Sequence, residues 1–271
     1  MSSFINELER IIKVVSTLGS LPINIFHKIV FCSFAKAGLS LFNATDAQKA
    51  ELESLIEAIP PVFRGLLKGE LYLSALKFTR SINLLLWEAK KLIIPEEANI
   101  HFILDFLRKN VGKVGGVIVL DCASIPEMVT IAGKFAHTNR NVVIYSRIFA
   151  NPIGVTRFLT EQLTHLGREP ALKRYAQLLK EELEASFSIK KSLIDLVVHE
   201  HGVSVSDFLN SLNMQEIIEQ INHFMKQSSI LITSDHGYDL VANEHGLYIT
   251  HGYKRKCPLN FSRIALFLVI D

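Results

Sequence analysis

An aspartate and a histidine, Asp235 and His236, follow an apolar run at residues 229–233 and precede Gly237. Carboxylate oxygen and imidazole nitrogen are ligands for zinc or manganese, and adjacent ligands on one loop can converge on one ion. Gly237 predicts a tight backbone turn there. A second acid, Asp121, ends another apolar run at 117–120. Asp195 and His199 are four residues apart, which on a helix puts both on one face, one turn apart. An ordinary helix pair has the same spacing, and His201 is a rival ligand if the helix ends before it. His245 and His251 each precede a glycine and flank a short strand at 247–250. His251 then falls at the strand's carboxyl end, the side expected of a ligand, and His245 reads as a turn histidine at the opposite end. Asn151-Pro152-Ile153-Gly154 makes a turn that sets Thr156, followed by Arg157, at a helix start. A hydroxyl there is most often a cap. The same place favours anions, and a metal-activated Thr156 oxygen would be a nucleophile for phosphorus.

These residues need elements to bring them together, and composition divides the chain near residue 112. Residues 1–111 read as all helix. Phe4, Ile5, Leu8, Ile11, Ile12 and Val15 recur at three- and four-residue spacing. Thr45 and Asp46 open another helix, which Pro60-Pro61 stops. Residues 71–92 predict a long helix, and Pro95 opens a further one ending near Asn110. None of these helices holds a cluster of chemical residues. A bundle packed on the second half, or on a partner, is the favoured reading.

From residue 112 the pattern changes to strands alternating with helices. Runs at 117–120, 141–145, 229–233, 247–249 and 264–270 read as strands, the first as part of a parallel sheet. Helical spacing occupies 126–135, 156–166, 171–185 and 216–226. This alternation predicts an α/β layer fold. In open α/β sheets ligands bind beyond the carboxyl ends of the strands, where Asp121 and Asp235 stand.

Bulk properties narrow the function classes. The chain has 271 residues, ample for a buried core, and 49% are hydrophobic. Its net charge of +2 gives no electrostatic reason to expect nucleic acid or an anionic membrane as the main partner. Lys254-Arg255-Lys256 reads as a solvated turn. Cys32, Cys122 and Cys257 are odd in number and lack C-x-x-C spacing, which argues against a disulfide framework or a cysteine zinc site. Residues 1–13 lack the run of a signal peptide. Residues 21–42 are apolar but interrupted by His27, Lys28 and Lys36, so they predict a buried helix in a cytoplasmic protein, not a membrane span.

In their order, these residues resemble the alkaline-phosphatase superfamily. Its pattern is a strand-end Asp, a Ser or Thr nucleophile at a helix start, Asp-x-x-x-His, Asp-His-Gly after a strand, and a late His. Asp121, Thr156, Asp195 with His199, Asp235 with His236, and His251 fill those places. Within the superfamily the chain looks most like PglZ-type domains, which share a Thr-Ser-Asp-His-Gly strand end, over about residues 113–271. The resemblance implies an alkaline-phosphatase-like three-layer sandwich at 112–271, preceded by the helical region. It implies two divalent ions, zinc or manganese. One would be held by Asp195, His199 and His251, the other by Asp121, Asp235 and His236, with Thr156 bridging toward a phosphate-ester substrate. A phosphodiester in nucleic acid is one such substrate. The chain departs from the PglZ pattern in carrying Cys122-Ala123-Ser124 where an Arg tends to follow the first Asp. Arg157 or Arg147 are the substitutes for substrate contact. That departure supports an alternative, a PglZ-type binding or regulatory protein with a degenerate or partner-dependent site, in a defence or signalling system. The apolar helical region suits a protein partner or an oligomer.

Overall fold

A computed structural model describes residues 2–41, 44–89, 95–163, 170–201, 203–225, 228–243, 246–252 and 260–271. The chain opens with α1 (Ser2–Ser16), α2 (Ile23–Leu41), α3 (Asp46–Glu57), α4 (Pro61–Arg64), α5 (Glu70–Ala89) and α6 (Ile100–Asn110). The six apolar residues that mark the stripe of α1 are all buried, as their spacing predicts. Thr45 and Gln48 close a reciprocal capping box on α3: Thr45 Oγ1 accepts from Gln48 N, and Gln48 Oε1 accepts from Thr45 N. The helix expected from Pro95 begins later. A 3-10 turn at Glu96–Ala98 intervenes, and Asn99 caps α6 by accepting from His101 N at 3.0 Å. Lys90 to Ile94, part of the long helix expected to reach residue 92, lie outside the described residues.

Strands then alternate with helices: β1 (Gly116–Leu120), α7 (Ile125–His137), β2 (Val142–Ile144), β3 (Phe149–Ala150), α8 (Arg157–Gln162), α9 (Ala171–Glu182), β4 (Phe187–Lys191), α10 (Leu193–His201), α11 (Val205–Ser211), α12 (Met214–Met225), β5 (Ile230–Thr233), β6 (Asp239–Asn243), β7 (Gly246–Thr250), β8 (Ile264–Ala265) and β9 (Leu268–Ile270). The main sheet is mixed, in the order β2-β9-β5-β1-β4. Its β4, β1 and β5 are mutually parallel neighbours, while β9 runs antiparallel to both β5 and β2.

Helices cover both faces of this sheet. Ile118, Leu120, Ile230, Ile232, Leu268 and Ile270 join a core with α1, α2, α7 and α12. Val117, Val119, Leu231 and Val269 join a second core with α6 and α9. Burial on both faces is why β1 and β5 read as unbroken apolar runs and not as alternating ones. The described part of residues 1–111 supplies helices to both layers. In particular, α1 and α2 pack directly on α7.

Three strands escape the sequence pattern. β4 is an edge strand, half-buried, and ends in Lys190-Lys191, the charge that edge strands use against stray pairing. β3 and β6 are a two-residue strand and one arm of a hairpin. The single strand expected at 264–270 is instead two. β8 pairs with β3 and β9 with β2 and β5, because the chain first runs along Phe149-Ala150 and enters the main sheet only after Phe267. No helix among the described residues is long and apolar enough to cross a membrane.

Deleting residues 1–111 is expected to leave a fragment that retains each candidate ligand but aggregates, because it bares the apolar faces that α7, α9 and α12 turn to the N-terminal helices. Size-exclusion chromatography of 112–271 checks this. A monomeric fragment with undiminished thermal stability would show that the helical layer is dispensable.

Candidate metal centre

The order β5-β1-β4 places three parallel carboxyl ends side by side. Each delivers an acid: Asp235 after β5, Asp121 after β1, and Asp195 in the first turn of α10 after β4. Asp121 N donates to Lys191 O at 2.7 Å, and Ser192 Oγ donates to Asp121 Oδ2 at 3.1 Å. The β6–β7 hairpin brings the fourth part. Asp239 pairs with Thr250, so the chain that leaves the site after Tyr238 returns beside it and presents His251. Asn243 pairs with Gly246 at the far end, while His245 itself lies outside the described residues. His201 is the last residue of α10, and its side chain is likewise outside the description.

The residues singled out from the sequence meet in two adjoining groups. In one, His199 Nε2 lies 2.9 Å from His251 Nε2, and Asp195 Oδ1 lies 3.3 Å from the first and 3.5 Å from the second. In the other, His236 Nε2 lies 3.8 Å from Asp121 Oδ1 and 3.7 Å from Asp235 Oδ2. The groups touch: the His236 and His251 rings are 4.9 Å apart, and Asp121, Asp195 and His236 offer ligand atoms within 4.8 Å of one another. Ligands at about 2.0–2.2 Å from a tetrahedral ion sit about 3.3–3.6 Å from each other, close to these separations.

Thr156 belongs to the second group. It stands in the N-cap place of α8, but its side chain caps nothing. Oγ1 lies 3.3 Å from His236 Nε2 instead. His236 Nδ1 is 2.9 Å from Gly237 O, which can only accept, so Nδ1 carries a hydrogen and Nε2 is the ring atom that faces the cluster. Arg157 is not brought in. Its guanidinium is exposed and pairs with Glu161 along α8, while Arg147 pairs with Glu97.

The turn that carries Thr156 is tied to the metal-type loop by Asn151, which is wholly buried. Its amide donates to Val155 O at 2.9 Å and Asp235 O at 3.1 Å, and its oxygen accepts from Gly154 N. The two glycines nearest the cluster allow close approach. A Cβ on Gly237 would come 2.7 Å from Phe261 O and 2.8 Å from Ser124 Oγ, so close packing accounts for this glycine. Gly252 has φ of +61°, and a Cβ there would lie 2.4 Å from Val155 Cγ1. Behind the loop, Tyr238 Oη donates to Glu127 Oε1 at 2.6 Å, and His27 Nε2 meets the same oxygen at 2.6 Å, all three residues buried. Sequence reasoning missed Asn151, Ser192, Glu127 and His27 as supports. The Ser-x-x-Glu of Ser124 and Glu127 ahead of α7 was the one local signal, since Glu127 accepts from Ser124 N at 3.1 Å.

Burial, then the charges of Asp235 and Asp195, pushes the Asp121 carboxyl up to about 6, with His236 and Ser192 only partly offsetting them. Burial also pushes Asp195 upward, but the hydrogen bond from His251 and the neighbouring His199, His251 and His236 outweigh it and bring the group below its usual range. Asp121 Oδ1, both oxygens of Asp235 and His251 Nδ1 are buried without a hydrogen-bond partner among the described residues. Buried carboxylate oxygens are rarely left so, because each unmet acceptor costs about 1–3 kcal/mol. A divalent cation would meet all three oxygens and offset the acid–acid repulsion, so the donor set fits zinc or manganese.

The folded, ion-free chain holds the Asp121 proton more tightly than the unfolded chain does. Its contribution to stability is therefore full below the ordinary value of 3.8 and is lost as pH rises to about 6. Asp121→Asn should raise ion-free stability above that window by about 1–3 kcal/mol and flatten the pH dependence within it. Urea unfolding in chelator, above and below the window, measures both. A variant less stable on both sides would make the carboxylate a structural acceptor instead. Comparison with known protein families, curated proteins and solved structures finds no match to this chain.

Proposed function

We propose that the chain is a metal-dependent phosphohydrolase of the alkaline-phosphatase type, similar to PglZ-type domains and acting on a phosphate ester. The observation that carries this reading is the meeting of six ligand-type side chains and a hydroxyl that caps no helix at three adjacent strand ends, around buried carboxylate oxygens without a hydrogen-bond partner among the described residues. A sheet with helices on both faces suits the three-layer sandwich of that superfamily.

Asp195, His199 and His251 would hold one divalent ion, and Asp121, Asp235 and His236 a second. When bound, such ions supply Lewis acidity and neutralise charge on a phosphoryl group. The chain's own residues do the rest. Thr156 offers the nucleophilic oxygen: its hydroxyl caps no helix, whereas Ser192 donates to Asp121 and Ser234 to Ala123 O. Asn151 fixes that oxygen relative to the Asp235 loop. Asp235 and His236 are fully enclosed, while His199 is exposed, so substrate reaches the cluster from the α10 side.

One observation favours a second reading, a binding or regulatory protein without turnover. Arg157 and Arg147, the candidates to hold a phosphate, are both engaged by glutamates away from the cluster.

Metal analysis after purification should find about two equivalents of zinc or manganese. A protein that is metal-free and equally stable in chelator would exclude the hydrolase reading. Thr156→Ala should keep fold and metals but lose hydrolysis of an activated phosphate ester by on the order of 10³-fold. Thr156→Ser should keep part of it. An alanine variant with full activity removes Thr156 from the chemistry and leaves a solvent molecule as the attacking group.

A further inference from the structure

We propose that Cys122 is a ligand of the ion held by Asp195 and His251, which makes that position thiophilic and selective for zinc over manganese. The inference rests on the metal-dependent reading above and refines it. Cys122 follows Asp121 directly and is wholly buried. Its Sγ, an Asp195 oxygen and a His251 ring nitrogen all lie within 4.8 Å of one another. The spacing that argues against a C-x-x-C framework does not bear on a lone thiol beside a histidine and a carboxylate.

The surroundings of the thiol point the same way. Among the described residues Sγ has one weak hydrogen bond, as donor to Gly237 O at 3.5 Å. Among the described residues, His251, with a side chain only 10% exposed, has its Nδ1 buried without a hydrogen-bond partner, and Asp235, 0% exposed, has both oxygens in that state. An Asp195 oxygen and a His251 ring nitrogen thus lie beside a buried sulfur, next to a loop whose Asp235 oxygens are unpartnered among the described residues. Cys122 also has φ of +63°, a conformation that costs a non-glycine residue and that persists where surroundings hold it. On binding, the S–H bond breaks, its proton leaves to solvent, and the sulfur lone pair forms the bond to the ion. Thiolate favours zinc, cadmium and cobalt over manganese or magnesium. His199, whose side chain is 63% exposed, is then the ligand of this group most open to displacement by substrate.

The test is cobalt substitution in the full chain after chelator stripping. Wild type should show visible d–d bands and a near-ultraviolet sulfur-to-cobalt charge-transfer band. Cys122→Ser should bind cobalt but lose that band completely, while Cys32→Ser and Cys257→Ser should keep it. Cobalt binding in wild type with d–d bands but no charge-transfer band overturns the role of Cys122 and leaves the metal-dependent reading intact. A band that survives Cys122→Ser also overturns it, because another sulfur is then the source. No cobalt binding at all overturns the metal-dependent reading, and this inference with it. The wild-type spectrum decides even if Cys122→Ser fails to fold.

Discussion

Three carboxylates that repel one another, held at the ends of three neighbouring parallel strands, are the constraint on which the rest of this structure depends. Parallel pairing of β4, β1 and β5 is what makes Asp195, Asp121 and Asp235 neighbours, although they are far apart in the chain. Burial of the sheet on both faces then removes the water that would screen them. The fold therefore stabilises its core and pushes the Asp121 carboxyl up with one arrangement, and positive charge or protonation offsets the second effect. The histidines go part of the way, and the buried oxygens left unsatisfied show that they do not go the whole way.

The parts around the acids are arranged to keep them from relaxing. Asn151 ties the Thr156 turn to the backbone of Asp235, and the β6–β7 hairpin returns His251 to the place its partner strand left. The Tyr238–Glu127–His27 contacts run from the loop after Gly237 to the first turn of α7 and on to α2. The helical layer is thus connected to the cluster through a buried polar chain as well as through apolar packing. A change at His27 reaches the site loop through two hydrogen bonds.

The site was more legible than the sheet. Asp121, Asp235 and His236 stand at the ends of strongly apolar runs, and two-sided burial makes such runs visible without partners. Asp195 and His199 share a helix face by spacing alone. His251 follows β7 at the end beside the cluster, the end its place after a short strand suggests, while His245 lies outside the described residues. β4 was not legible, because an edge strand with Lys190 and Lys191 has little apolar signal and is recognised only by its pairing with β1. The split of 264–270 into β8 and β9 was hidden for a related reason, since both halves are buried and only their partners differ. Thr156 looked like a cap by position. Its hydroxyl turns to His236, a choice set by Asn151 from the turn before it. Asn151, Glu127 and His27 act through tertiary contacts, and residue type alone does not announce them.

The sheet order also dictates a sequence of events while the chain is being made. β9 follows β5 along the chain yet lies between β5 and β2. In the main sheet β2 pairs with β9 and with no other strand described, so residues 142–144 have no neighbour there until 268–270 emerge. The parallel trio β4, β1 and β5 can assemble earlier. Until β9 arrives, β5 presents an open edge, apolar at Ile230, Leu231 and Ile232, to whatever is nearby. A nascent chain stalled between residues 235 and 268 would hold the three acids but offer that edge to a chaperone or to a second nascent copy.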